Sequence, residues 1–179
     1  MKLNTPLIGV VILMTLTSGC LGSVQDQGKE AGLIVTTDSN LVRIQTVYEQ
    51  GELTEQEPGV IRFDFSSSVF MEEILSFGVS LDDGREDIIV DANQAQEIEV
   101  TYDKHGYYTV EAFAIDVNGE RESTEIIITI EQEIMWTETN TGSPEILYFD
   151  ADPGNELPSP SYFILNSTVE NPSSIIGID

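Results

Sequence analysis

From Leu33 onward the apolar positions of this chain alternate in short runs, and turn residues break each run before a helical period can build. Ile61, Phe63 and Phe65 alternate with Arg62 and Asp64, and Leu75, Phe77, Val79 and Leu81 alternate with Ser76, Gly78 and Ser80. Ile98, Val100 and Tyr102 alternate with Glu97, Glu99 and Thr101, and Ile126, Ile128 and Ile130 alternate with Ile127 and Thr129. A period of two puts one set of side chains on one face of an extended strand, so each run predicts a half-buried β-strand. Turn-formers separate the runs: Glu57-Pro58-Gly59, Asp82-Asp83-Gly84, Asp103-Lys104-His105-Gly106 and Val117-Asn118-Gly119-Glu120. Many short strands at this spacing predict an all-β fold, an antiparallel β-sandwich whose two inward faces make one core. An α/β fold would need helical stretches between the strands, and the pattern contains none.

The segment Thr101 to Val110, continuing through Ile115-Asp116-Val117-Asn118-Gly119, resembles the PKD-domain signature: a Tyr, a turn ending in Gly, Tyr-x-Val on the next strand, then Asp and Asn-Gly. Gly59 to Ser68 resembles the early strand of that family with its Ser-rich turn. Together they frame residues 33–132 as a PKD-like, immunoglobulin-like β-sandwich. Where PKD domains usually carry Trp-Asp-Phe-Gly-Asp-Gly, this sequence has Val79-Ser80-Leu81-Asp82-Asp83-Gly84, so it resembles a divergent member. In PKD-containing proteins such modules generally serve adhesion, surface-layer architecture or spacing of other domains. The resemblance therefore implies a non-catalytic accessory role.

One strand breaks the expected phase. If Tyr108 and Val110 face inward, so do the small Ala112 and Ala114, while Phe113 and Ile115 face outward. Either a bulge shifts the phase, or the outer apolar strip is covered by a contact. On the second reading Phe113 and Ile115 are candidate interface residues.

The N-terminus carries an address. A basic start at Lys2, an apolar run from Leu7 to Leu16 and small residues before Cys20 are the three parts of a secretory signal. The run is ten residues long, whereas a helix spanning a bilayer takes about 20. Leu16-Thr17-Ser18-Gly19-Cys20 resembles the lipobox of prokaryotic lipoproteins, archaeal ones included, in which the cysteine is lipidated and becomes the mature N-terminus. Cys20 is the only cysteine in the chain, which excludes an internal disulfide or a cysteine-rich zinc site. The expected order is a signal peptide over 1–19, a lipidated Cys20 with a flexible Gly- and polar-rich tether over 20–32, and the sandwich over 33–132.

Residues 133–179 predict an incomplete second β-rich segment. Ile134-Met135-Trp136, Ile146-Leu147-Tyr148-Phe149 and Tyr162-Phe163-Ile164-Leu165 with Val169 read as about three strands, too few to enclose a core alone. They either begin a second sandwich, pair onto the first or form a loose hairpin.

Charge narrows the partners. The chain has 32 acidic and seven basic residues, a formal charge of −25. Such a field repels phosphate backbones, which excludes nucleic acid as a partner, and keeps an exported domain dissolved. Cations are the natural counter-species. Calcium takes six to eight oxygens from flexible loops, and two acidic stretches qualify: Asp82, Asp83, Glu86 and Asp87, and Asp150, Asp152, Asn155 and Glu156. Neither matches an EF-hand loop, and apart from calcium no cofactor is expected. His105 is the only histidine and sits in a turn, so a nucleophile–base pair has little to draw on and no catalytic residue is assigned. Asn166-Ser167-Thr168 is an N-glycosylation acceptor.

The chain is thus expected to be exported and membrane-anchored, facing the outside of the cell or the periplasm. The expected function is a non-catalytic binding, adhesion or spacer module that meets the membrane through its lipid and a surface protein or glycan through its domain. Two alternatives stand beside it: the N-terminal piece of a larger secreted hydrolase with accessory PKD-like domains, and a purely structural envelope lipoprotein.

Overall fold

The computed structural model describes residues 32–139, 142–143 and 145–170. The expected signal peptide, Cys20 and the tether up to residue 31 lie outside the described residues, as do residues 171–179. Nine strands follow in chain order: β1 (Thr36–Thr37), β2 (Leu41–Glu49), β3 (Glu52–Glu57), β4 (Gly59–Asp64), β5 (Ile74–Ser80), β6 (Ile88–Asp91), β7 (Glu97–Tyr102), β8 (Gly106–Asp116) and β9 (Arg121–Thr137). No helix occurs among the described residues.

The strands form a three-stranded sheet in the order β1-β4-β7 and a six-stranded sheet in the order β3-β2-β9-β8-β5-β6. The first described strand lies on one sheet, with Thr36 opposite Asp64, and the chain then crosses to the other, where β2 runs parallel to β9 from Leu41↔Thr129 to Glu49↔Thr137. This crossing makes the larger sheet mixed rather than wholly antiparallel, because β2 and the last strand, β9, lie side by side and run the same way. Two sheets face to face with this order form an immunoglobulin-like sandwich.

The inward sets are those the alternation predicted. Ile61, Phe63 and Phe65, then Ile98, Val100 and Tyr102, are buried on the small sheet. Phe77, Val79 and Leu81, Tyr108 to Ala114 at alternate positions, and Ile128 and Ile130 are buried opposite them. Each large aliphatic or aromatic side chain removed from water contributes about 1.5–3 kcal/mol, which is the main force closing the sandwich. Leu75 departs from its run and is exposed, because the register between β5 and β8 shifts between Ile74 and Ser76 and leaves Leu75 as the extra, outward residue.

The domain ends later than the sequence indicated. β9 is one 17-residue strand; its first part pairs with β8 and its last part with β2. Ile134, Met135 and Trp136 therefore belong to the sandwich, and Trp136 packs against Tyr48 at a ring separation of 5.5 Å. The boundary at residue 132 moves to Thr137. Beyond it, residues 146–149 and 162–165 form no strands, and the single aromatic contact joining them is Phe149 edge-on to Phe163.

β3 was not legible as an inward strand for a simple reason: all six of its residues are exposed. It is held as an outer edge by a two-residue turn, Gln50-Gly51, both with positive φ (52° and 81°), the backbone that matches strand twist. Its glutamates at 52, 55 and 57 make the edge a poor template for further pairing.

Candidate functional site

The two acidic stretches do not converge. Asp82 sits in the left-handed region at φ 58° and accepts the Thr109 N–H at 3.2 Å. The Asp83 carboxylate accepts the Arg85 N–H and the Arg85 guanidinium, the latter at 2.7 Å. Glu86 and Asp87 are exposed beyond that turn. In the second stretch, Asp150 accepts from the Asp152 N–H at 3.0 Å and from Lys104 at 3.1 Å, while Asp152 accepts from Ser159. Among the described residues no group of three or more His, Cys, Asp or Glu side chains stands close enough to hold a metal ion. The candidate calcium ligands Asp82, Asp83, Glu86, Asp87, Asp150 and Asp152 are spread over turns, and several are bound to backbone N–H groups or cations.

The second stretch has a different role, as a strap over the β7–β8 turn. Lys104 pairs with Asp150, His105 Nε2 donates to the Ala151 carbonyl at 3.2 Å, Gly154 N–H donates to the His105 carbonyl at 3.0 Å, and Asn155 donates to the Tyr107 carbonyl at 2.7 Å. Residue 154 must be glycine here, because a Cβ would collide with the Tyr108 hydroxyl and press on Lys104. Beneath the strap the Tyr108 hydroxyl donates to the Lys104 carbonyl four residues back at 2.9 Å, the tyrosine corner of immunoglobulin-like domains. The Asp152 N–H, and after it Lys104, hold the Asp150 carboxyl below its ordinary pKa.

A cavity of about 130 Å³ lies under the strap, bordered by Asp83, Arg85, Tyr102, Lys104, Tyr108 and Gly154. Burial drives the Tyr102 phenol far above its ordinary pKa, so it stays a protonated donor. Its hydroxyl has no partner in the protein, nor has the Asn155 Oδ1. At roughly 30 Å³ per water the cavity has room for a few waters to satisfy the Tyr102 hydroxyl on its border. Two ion pairs stand at its border, Asp83 with Arg85 and Lys104 with Asp150, and they tie the turn and the strap together.

The phase problem in β8 resolves within the chain. The register of β8 on β9 runs unbroken from Gly106↔Ile130 to Ile115↔Arg121, so no bulge in that pair turns Phe113 inward. Phe113 stays on the outer face and is nevertheless 0% exposed. Its ring lies over Gly78, its direct partner on β5, where any Cβ would meet the ring, and under the Arg121 guanidinium 3.7 Å from the ring centroid. Glu111 holds Arg121 in place at 3.0 Å. A flat aromatic shielding a strand glycine, with a cation–π cap, covers this strip without a partner. Phe113 is therefore corrected from an interface residue to a packed one, and Ile115 is half-buried beside it. The inward Ala112 and Ala114 fit for a related reason: they sit opposite Val79 and Phe77, and Phe77 stacks on Phe65 at 4.7 Å, filling the layer from the neighbouring strand.

The sequence singled out Phe113 but not Gly78, Arg121 or Gly154, which make the two covered features. Only cross-strand register identifies them, and register is invisible in a single strand's pattern. Asn166 is exposed in a stretch without regular structure.

No protein-family model matches the chain. No curated protein matches it. The structure is similar to the crystal structure of the PKD1 domain from Vibrio cholerae metalloprotease PrtV, at 16% sequence identity and a TM-score of 0.34, over 51% of this chain and 95% of that chain.

Proposed function

We propose that the chain is an exported, lipid-anchored, non-catalytic module that holds a closed sandwich away from a membrane as a spacer or binding element. The observation that carries this reading is that two features the sequence leaves open, the Phe113 strip and the tyrosine corner, are covered by the chain's own residues. Phe113 lies between Gly78 and Arg121, and the tyrosine corner lies under the 150–155 strap. What is left to meet another molecule is the edge β3, the turns, the C-terminal stretch and the exposed apolar side chains of the large sheet, Ile89, Tyr107 and Ile127 among them, surfaces that suit a partner protein or glycan. The lipobox-like Cys20 supplies the anchor. From Leu21 to Gly32 the chain has 12 residues, a reach of about 40 Å when extended. Two or more acyl chains on Cys20 would hold firmly, at about 0.8 kcal/mol per buried CH₂.

The test is fractionation of cells carrying the natural chain and Cys20→Ser. The natural chain is expected in the membrane fraction, removable from intact cells by external protease, with acyl mass on the Cys20 peptide. Cys20→Ser is expected to lose membrane association. A natural chain found inside the cell with an unmodified cysteine would overturn the reading.

A further inference from the structure

We propose that Asn166 is the acceptor of an N-linked glycan that covers the exposed apolar run Tyr162–Leu165, an inference that rests on the export reading above. Three observations meet at this place. Asn166-Ser167-Thr168 is the one Asn-x-Ser/Thr triplet in the chain with a residue other than proline at its centre. Every residue from 161 to 170 is exposed and none is in regular secondary structure, so the backbone can adopt the extended or turned shape a transferase groove requires. Immediately upstream, Tyr162, Phe163, Ile164 and Leu165 are 77%, 75%, 79% and 78% exposed, four consecutive apolar side chains open to water.

Contiguous exposed apolar side chains are uncommon on a dissolved domain and call for a cover. The chain's own sandwich does not supply one: Ser159, bonded to Asp152, is tied to the strap, and in this run only Phe163 makes an aromatic contact, edge-on to Phe149. A branched sugar on the next residue lies within reach of all four side chains and can lay its C–H faces on the two rings. The donor is an oligosaccharide carried on a lipid phosphate or pyrophosphate. The Asn166 Nδ2 forms the new bond to the sugar's anomeric carbon, the bond from that carbon to the phosphate oxygen breaks, and the lipid phosphate leaves as the anion. The amide gives up one proton to a base on the transferase, and no oxidant or reductant enters.

The experiment is peptide mass mapping of the full chain recovered from the surface of its own cells, with the natural sequence, Asn166→Gln, Thr168→Ala and Thr168→Ser. The expected result is an oligosaccharide mass on the Asn166 peptide. It is lost completely in Asn166→Gln and Thr168→Ala and kept in Thr168→Ser, and chymotrypsin cuts the two unmodified variants sooner between Tyr162 and Leu165. A bare Asn166 peptide on surface-exposed chain with acylated Cys20 overturns the proposal while leaving the export reading standing. A bare peptide whose 162–165 run still resists chymotrypsin on intact cells also overturns it, and identifies a second protein as the cover. Chain retained inside the cell with bare Cys20 and bare Asn166 overturns both.

Discussion

The sandwich and the stretch after it are built from similar residues and meet opposite fates. Ile61-Arg62-Phe63-Asp64-Phe65 buries its three apolar side chains at 0%, 0% and 1% exposure. Tyr162-Phe163-Ile164-Leu165 holds four apolar side chains in a row and buries none of them. The difference lies in periodicity and partners. An alternating run can give one face to a core and the other to water, so it is satisfied by a single facing sheet. A continuous run needs cover on both faces, and residues 145–170 have one sandwich end to lean on, which they hold by the polar contacts of the strap. Hydrophobicity by itself does not decide burial here; the pattern decides what a neighbour can do with it.

The largest expected effect separates the two regions by substitution of one residue type. Phe63→Ala should lower unfolding free energy by about 3–5 kcal/mol, because the cavity sits between both sheets. Phe163→Ala should stay within about 0.5 kcal/mol of the natural chain in the same denaturant titration. Next in size, Gly78→Ala should cost about 1–3 kcal/mol by pushing the Phe113 ring off its seat under Arg121, with loss of the near-ultraviolet circular dichroism of that ring as the second readout. Thr46→Val should raise stability by about 1 kcal/mol, since the Thr46 side chain is buried at 4% exposure and its hydroxyl has no partner.

The smallest effect concerns the strap. The Asp150 carboxyl titrates below its ordinary value because of the Asp152 N–H and Lys104. A carboxyl with a depressed folded pKa contributes in full above its unfolded pKa of about 3.9 and loses that contribution as pH falls through the lower folded value. The strap should thus be unchanged between neutral pH and about pH 5 and loosen below about pH 4. Amide resonances of His105 to Tyr107 would report it, and Asp150→Asn should remove the dependence. A strap that loosened on raising the pH from neutral would break the assignment.

Much of the sandwich was legible because its strands are half-buried: Ile98-Glu99-Val100-Thr101-Tyr102 states its inward face residue by residue, and the structure buries that face. β2 and β3 were hidden for opposite reasons. β2 mixes polar residues into its inward set, as at Thr46, and β3 has no inward set. The extent of β9 was also hidden, since its far half is paired with a strand 88 residues away in sequence. Of the candidate site residues, the acidic turns were visible as composition, yet their pairing with Arg85, Lys104 and backbone N–H groups depends on tertiary placement. Phe113 was visible as a phase conflict. Its resolution required Gly78 and Arg121, on two different strands, and no local rule joins them.

Native-state hydrogen exchange of the full chain tests the central claim most directly, that the sandwich is complete at Thr137 and is held by its own residues. The account predicts that amides of the paired strands, including Ile134 to Trp136 on β9, exchange together and slowest, that Gly154 exchanges at an intermediate rate, and that 160–170 exchange at the rate of an unstructured chain. Slow exchange across 162–165, or fast exchange across 134–136 with the rest of β9 protected, would contradict it and return those residues to a second folded unit.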